Sequence, residues 1–159
     1  MNRNIHISRT NPEHLDFRKL IVLLDDNLSA NNGEDQAFFT QFNKTDTIKH
    51  AIVAYIDGNA VGCGAIKEFG EGTMEVKRMF VHPDFRRQGI AKKVLEQLEI
   101  WANELGYETC ILETGNKQTE AVSLYQNLGY EVIPNYGQYE NVESSICMQK
   151  KLKDLSSAV

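Results

Sequence analysis

The sequence predicts a single α/β or α+β domain in which short strands outnumber helices and are interleaved with them. Two observations carry this. Seven short, apolar, strand-like runs alternate with segments whose apolar residues recur at helical spacing. A chain of 159 residues also shows no repeat, no low-complexity tract and no linker, which fits one domain with its own core.

Taken in order, residues 4–9 (NIHISR) form a short strand. Residues 15–28 (LDFRKLIVLLDDNL) place Leu15, Leu20, Ile21 and Leu24 at helical spacing, and the polar stretch SANNGED ends that helix. Residues 35–42 (DQAFFTQF) read as a second, short helix. The runs AIVAYI (51–56) and VGCGAIKEF (61–69) flank Asp57-Gly58-Asn59, a hairpin turn signal. TMEVKRMFV (73–81) is a further strand that stops before His82-Pro83. A helical stripe of Ile90, Val94, Leu98, Trp101, Ala102 and Leu105 then runs to Gly106. ETCILE (108–113) is a strand, TEAVSLYQNLGY (119–130) a helix ended by Gly129, and YEVIP (130–134) and SSICMQKKL (144–152) are the last two strands.

Composition is that of an ordinary soluble protein, 42% hydrophobic and 25% charged. The opening residues, MNRNIHISRT, contain no apolar run, and no stretch approaches a membrane span. Cys63, Cys110 and Cys147 are an odd number, far apart and in apolar contexts, so reduced, buried, structural thiols are expected. None has a histidine or a helix start beside it in sequence, which argues against a cysteine nucleophile. His6, His14, His50 and His82 show no metal-ligand spacing. The expectation is a cytoplasmic protein without a metal.

Charge is distributed unevenly. The chain has a formal net charge of −5, yet between Lys77 and Lys93 six basic residues face one acid, Asp84. Arg86, Arg87, Lys92 and Lys93 cluster where the third helix begins, although a helix N-terminus already carries partial positive charge. Either this is a solvated basic face or the cations await a small anionic ligand. A nucleic-acid partner would call for a basic chain, and this one is acidic. Gly89, at the strand-to-helix junction, allows close approach to the backbone, and the N–H groups of the first turn form an anion site. The stretch lacks the further glycines of G-x-G-x-x-G and the Lys-Ser/Thr of a P-loop.

Arg86-Arg87-Gln88-Gly89-Ile90-Ala91 resembles the R/Q-x-x-G-x-G/A signature of the GCN5-related N-acetyltransferases (GNAT). Further on, EAVSLYQNLGYEVI is similar to that family's A-x-x-L-Y-x-x-x-G-F/Y segment. The element order agrees from end to end, the first ~45 residues matching in order alone. The resemblance implies a mixed, mostly antiparallel sheet of six or seven strands flanked by about four helices, with a splayed central strand pair. It also implies acetyl-CoA as co-substrate and an amine as acceptor. The backbone of Arg87 through Lys92 would hold the pyrophosphate, with basic side chains adding attraction. Backbone groups near Met79 and Val81 would meet the pantetheine. The cofactor contacts so implied are Met79, Phe80, Val81, Arg86, Arg87, Gln88, Gly89, Ile90, Ala91, Lys92, Gln118 and Tyr125. Gln118 stands where the family usually has Asn; Asn116, two residues earlier, is a candidate N-cap for the following helix.

Acetyl transfer to an amine needs a base for the amine proton and an acid for the leaving thiolate. Glu75, fourteen residues before Gly89, is the base candidate; it is otherwise a solvated strand residue or a partner for Lys77. Tyr125 shares the apolar face of its helix with Ala121, Leu124 and Leu128, so periodicity alone allows a core tyrosine. The resemblance makes it the general acid. It also places the acceptor between residues 27–45, with Glu34, Asp35, Phe38, Phe39 and Phe42, and residues 134–145, with Tyr136, Tyr139, Glu140 and Glu143. Acids with aromatics suit a cationic amine, and equally fit core phenylalanines with solvated acids. A non-catalytic acyl-CoA-binding module and a longer acyl group stay open, as do monomer and homodimer.

Overall fold

A computed structural model describes residues 4–32 and 48–152, with side chains from 4–26 and 48–152. Seven strands form one sheet: β1 (Ile5–Thr10), β2 (His50–Ile56), β3 (Asn59–Gly70), β4 (Thr73–Val81), β5 (Thr109–Gly115), β6 (Glu131–Ile133) and β7 (Ser145–Lys151). Their spatial order is β1-β2-β3-β4-β5-β7-β6. Only β4 and β5 run parallel; every other neighbouring pair is antiparallel. The mixed, mostly antiparallel sheet is therefore as expected. Among the described residues three helices flank it: α1 (Leu15–Asn32), α2 (Ile90–Glu104) and α3 (Thr119–Asn127). The short helix expected over residues 35–42 lies outside the described residues. The first helix runs four residues past its expected end, because SANN is polar without containing a residue that breaks a helix. None of these helices is long and apolar enough to cross a membrane.

Each face of the sheet carries its own core. Ile90, Val94, Leu95, Leu98 and Ala102 of α2 pack on Ile52, Ala54, Val61, Ile66, Met74, Val76, Leu112 and Met148. On the other face Phe17, Leu20 and Leu24 of α1 cover Ala51, Val53, Cys63, Ala65 and Phe80. Each fully buried Leu or Ile contributes roughly 1.5–3 kcal/mol of transfer free energy. All three cysteines are free and buried, and burial pushes the Cys110 thiol up to about 12.

Two irregularities in β4 set up the site. First, Cys63 pairs with Phe80 while Ala65 pairs with Lys77, so β4 carries one residue more than β3 between these points. The extra residue is a β-bulge at Arg78, which has φ +60. It reverses the side-chain alternation. Met74 and Val76 face α2 before it, and Phe80 then joins the α1 core while Met79 packs on the α2 side. The Cys63 thiol donates to the Arg78 carbonyl at 3.3 Å, and the Arg78 guanidinium reaches Asp25 of α1 at 3.1 Å. Second, β4 and β5 pair only at Thr73–Thr109, Met74–Cys110 and Glu75–Ile111. Both strands then continue, to Val81 and Gly115, without pairing to each other.

Helix α2 lies close over this region because β3 places glycines, Gly62 and Gly64, beneath its Ile90, Val94 and Leu98. A Cβ on Gly64 would stand 2.6 Å from Met79 Sδ and 2.9 Å from both Leu98 Cδ1 and Val94 Cγ1. Gly64→Ala is therefore expected to lower stability by ~1–3 kcal/mol through overpacking, read as a lower urea midpoint. An unchanged midpoint would mean that α2 rides off the sheet at little cost.

Candidate active site

Where β4 and β5 part, a cleft of about 750 Å³ opens. Val76–Val81 form one wall and Leu112–Gly115 the other, with the beginnings of α2 and α3 across the mouth. Chain geometry explains the mouth. After a 3-10 turn at Pro83–Phe85, Arg87 takes φ +65 and Gly89, the N-cap of α2, φ +79. Alternating left-handed residues curl successive N–H groups toward one side, an anion-holding arrangement. The first N–H of α2 to find a helical acceptor belongs to Lys93, bonded to the Gly89 carbonyl at 3.1 Å. Gly89, Ile90 and Ala91, whose N–H groups precede it, line the cleft. Arg86, Arg87 and Lys92 line it as well. Arg86 folds back so that Nε donates to the Val81 carbonyl at 3.0 Å, and Arg87 bridges to Glu120 of α3 at 3.0 Å.

Helix α3 brings a second N-terminus to the same mouth, since Thr119, Glu120 and Ala121 also line it. Its N-cap is Gln118, whose N–H bonds the Gly115 carbonyl at 2.9 Å. The expected N-cap at Asn116 is not observed, because the helix begins only at Thr119; Asn116 lies before it, with its N–H on the Ser144 carbonyl at 2.7 Å. The Gln118 side chain makes no cap bond, and its Nε2 is buried against the cleft without a partner. An orphaned buried amide costs about 1–3 kcal/mol, so the atom is poised for a polar guest.

Away from the mouth, the cleft carries a carboxyl beside cationic side chains. Glu113 of β5 lines it two residues past the last β4–β5 pair. Burial pushes its carboxyl up to about 7; the Ser145 hydroxyl (2.6 Å to Oε2) and the Lys77 ammonium pull it back, and Glu75 adds to the rise. Tyr125 of α3 faces the same space, only 7% exposed. Burial, then the charge of Glu113, raise its pKa, so the phenol holds its proton. On the sheet face opposite α2, Glu75, Lys77, Tyr139 and Ser145 form a buried polar cluster. Tyr136 OH donates to Glu75 Oε2 at 2.8 Å and Lys77 Nζ to Tyr139 OH at 3.2 Å. The ring of Tyr136 meets Phe69 and Tyr139 edge-on. Among the described residues no cluster of His, Cys, Asp or Glu is placed to hold a metal ion.

The model of the acetyltransferase (GNAT) family matches residues 18–130, which include both signature stretches and both walls of the cleft. The chain belongs to the GNAT family. An IAA acetyltransferase of Azospirillum brasilense is 39% identical over 102 residues, 64% of this chain and 67% of that protein. The chain spans about half to two thirds of the length of other curated N-acetyltransferases that it matches. Among solved structures, a Klebsiella pneumoniae protein assigned as an acyl-CoA N-acyltransferase is 31% identical, with TM-score 0.78 over 94% of this chain and 98% of that one. A GNAT acetyltransferase of Elizabethkingia anophelis with acetyl-CoA bound shares the fold at 18% identity, TM-score 0.69, over 94% and 99% of the two chains.

Set on this GNAT fold, the residues singled out in the sequence are mostly brought together. Met79, Phe80, Val81, Arg86, Arg87, Gly89, Ile90, Ala91, Lys92, Gln118 and Tyr125 all line the cleft. Gln88 and Glu75 do not. Glu75, 3% exposed, lies beneath the loop between β6 and β7 with its carboxylate on Tyr136. Glu140 and Glu143 are exposed, Tyr139 is buried and Tyr136 half-buried. Glu34, Asp35, Phe38, Phe39 and Phe42 lie outside the described residues. Glu113 is the residue that sequence reasoning passed over. Its position at the carboxyl end of a parallel strand, where crevices in such sheets form, was the available signal.

The Ser145 bond holds the Glu113 carboxyl down, so Ser145→Ala should move its titration further above 7. Carboxyl-carbon NMR across pH 5–9 would show this; a midpoint that falls or stays fixed would contradict it.

Proposed function

We propose that this GNAT protein is an N-acetyltransferase that takes acetyl-CoA between β4 and β5 and delivers the acetyl group directly to a primary amine. The observation carrying this is the cleft itself. Unpaired helix starts and cations stand at its mouth, and a carboxyl with a pKa near 7 stands beside a protonated phenol within it. The names of the relatives and the acetyl-CoA held by the Elizabethkingia enzyme support the same reading.

The residues present fit the co-substrate. The N–H groups of the α2 start and the side chains of Arg86, Arg87 and Lys92 would hold its phosphates. Gln118 Nε2, buried and unpartnered, has a donor to give at the α3 side. Of the two strand residues expected to meet the pantetheine, Met79 is the better placed, because the Val81 carbonyl already accepts from Arg86. Acetyl-CoA supplies an activated acyl group as a thioester. The basic mouth thereby gains the anion it lacks, and the cost of cations beside a helix N-terminus is relieved.

Glu113 is the better base. An amine of pKa near 10.4 is mostly protonated at neutral pH, and a carboxylate lining the cleft with a proton affinity near neutrality is matched to receive that proton. Glu75 would act behind it, raising the Glu113 pKa through its charge and holding the β6–β7 loop through Tyr136. Tyr125 OH, kept protonated by its surroundings, would protonate the leaving sulfur. The single sheet running through the described residues favours one domain over the whole chain.

The test is release of free coenzyme A from acetyl-CoA against amino acids, polyamines, aminoglycosides and lysine peptides. Tyr125→Phe should lose ~10²-fold in turnover with cofactor affinity kept. Glu113→Gln should flatten the acidic limb of the rate profile near pH 7, since the base works only when ionised. No amine-dependent release despite acetyl-CoA binding would favour a binding-only module. Gly89→Val places a β-branched residue at φ +79 and should abolish coenzyme A binding by calorimetry; unchanged affinity would remove the pyrophosphate assignment.

A further inference from the structure

Lys77 brings an amine to the cleft. Its side chain lines the cleft with Glu113 and Tyr125, and it precedes Met79 by two residues, roughly 7 Å along a strand. The residue is only 8% exposed. An ammonium has three donors to satisfy, and here one hydrogen bond goes to Tyr139 OH at 3.2 Å, with Glu75 Oε2 at 4.0 Å, the outer limit of an ion pair. Burial draws the Lys77 pKa below the ordinary lysine range, against the pull of Glu75 and Glu113. A buried amine whose charged form is disfavoured, lining the same cleft as the Glu113 carboxyl, has what a nucleophile needs.

We propose that Lys77 is itself an acetyl acceptor, modified by acetyl-CoA bound in the same cleft when no amine guest is present. This rests on the acetyl-CoA reading of the cleft. The Lys77 ammonium first loses one proton through the Glu113 carboxylate to solvent, and the freed Nζ lone pair then forms a bond to the acetyl carbon as the carbon–sulfur bond breaks. The second Nζ proton passes to the Glu113 carboxylate, and the departing sulfur takes the Tyr125 phenolic proton, which solvent exchange restores from Glu113. The products are acetyl-Lys77 and coenzyme A, with no change of oxidation state. Once modified, the chain has no cation between Glu75 and Glu113, and the acceptor position is filled.

The experiment is peptide mapping of the full chain after incubation with acetyl-CoA and no amine, with coenzyme A binding measured on the same sample. Trypsin does not cut after acetyl-lysine, so modification converts the peptide 68–77 into 68–78. Exposed Lys19 and Lys93, which do not line the cleft, serve as references for uncatalysed acetylation. Lys77 should acquire the group at least ~10-fold faster than they do, and Tyr125→Phe should slow Lys77 alone. Coenzyme A binding with Lys77 unmodified, or modified no faster than the exposed lysines, overturns the proposal and leaves the acetyl-CoA reading intact. Absence of coenzyme A binding overturns both.

Discussion

The site depends on one failure of pairing. After Glu75 and Ile111, β4 and β5 stop hydrogen-bonding, although both strands go on. Strands in a regular sheet stay paired because buried N–H and C=O groups without partners are costly, about 1–3 kcal/mol each. Here the divergence is enforced from the other side. The bulge at Arg78 keeps β4 matched to β3 while turning it from β5, and it is tied down by Cys63 and Asp25. A non-glycine residue at φ +60 is locally unfavourable. The strain is held where it opens the cleft, as strained backbone at functional sites commonly is.

The cleft is electrically graded along its length. Arg86, Arg87, Lys92 and two helix N-termini make one end positive, while away from the mouth Lys77 and Arg78 are set against Glu113 and the nearby Glu75. A ligand that is anionic at one end and neutral at its reactive end meets favourable surroundings at both ends in one orientation only. The grading therefore supplies orientation as well as attraction. It also accounts for a locally basic stretch in an acidic chain.

Most of the fold was legible because periodicity and turn residues are local properties. All seven strands lie where alternating or apolar runs placed them. The end of α1 was misjudged because polarity was read as a stop, and polarity alone does not break a helix. The basic mouth was legible for a similar reason: its groups are close in sequence, from Arg86 to Lys92. Glu113 was not. Its carboxyl is raised by burial in the assembled cleft and then by Glu75, while Ser145, thirty-two residues later, and Lys77 hold it down. ETCILE by itself reads only as a buried strand. Glu75 was noticed for its place on β4, but its burial beneath Tyr136 is decided by a loop sixty-one residues away. Asn116 looked like a cap by residue type, but the helix begins at Thr119 with Gln118 as its N-cap.

The sheet order has a consequence for how such a chain is made. β7 is the last strand along the sequence, yet it lies between β5 and β6, both synthesised earlier. Until β7 emerges from the ribosome, β5 has an open edge next to its short pairing with β4, and β6 has no neighbour at all. Open edges of this kind are templates for pairing with other chains. The nascent protein thus has the basic mouth of the cleft before Ser145, in the final strand, can reach Glu113. Premature termination within β7 would leave the edge unsealed, and the expected fate of that product is self-association rather than partial activity.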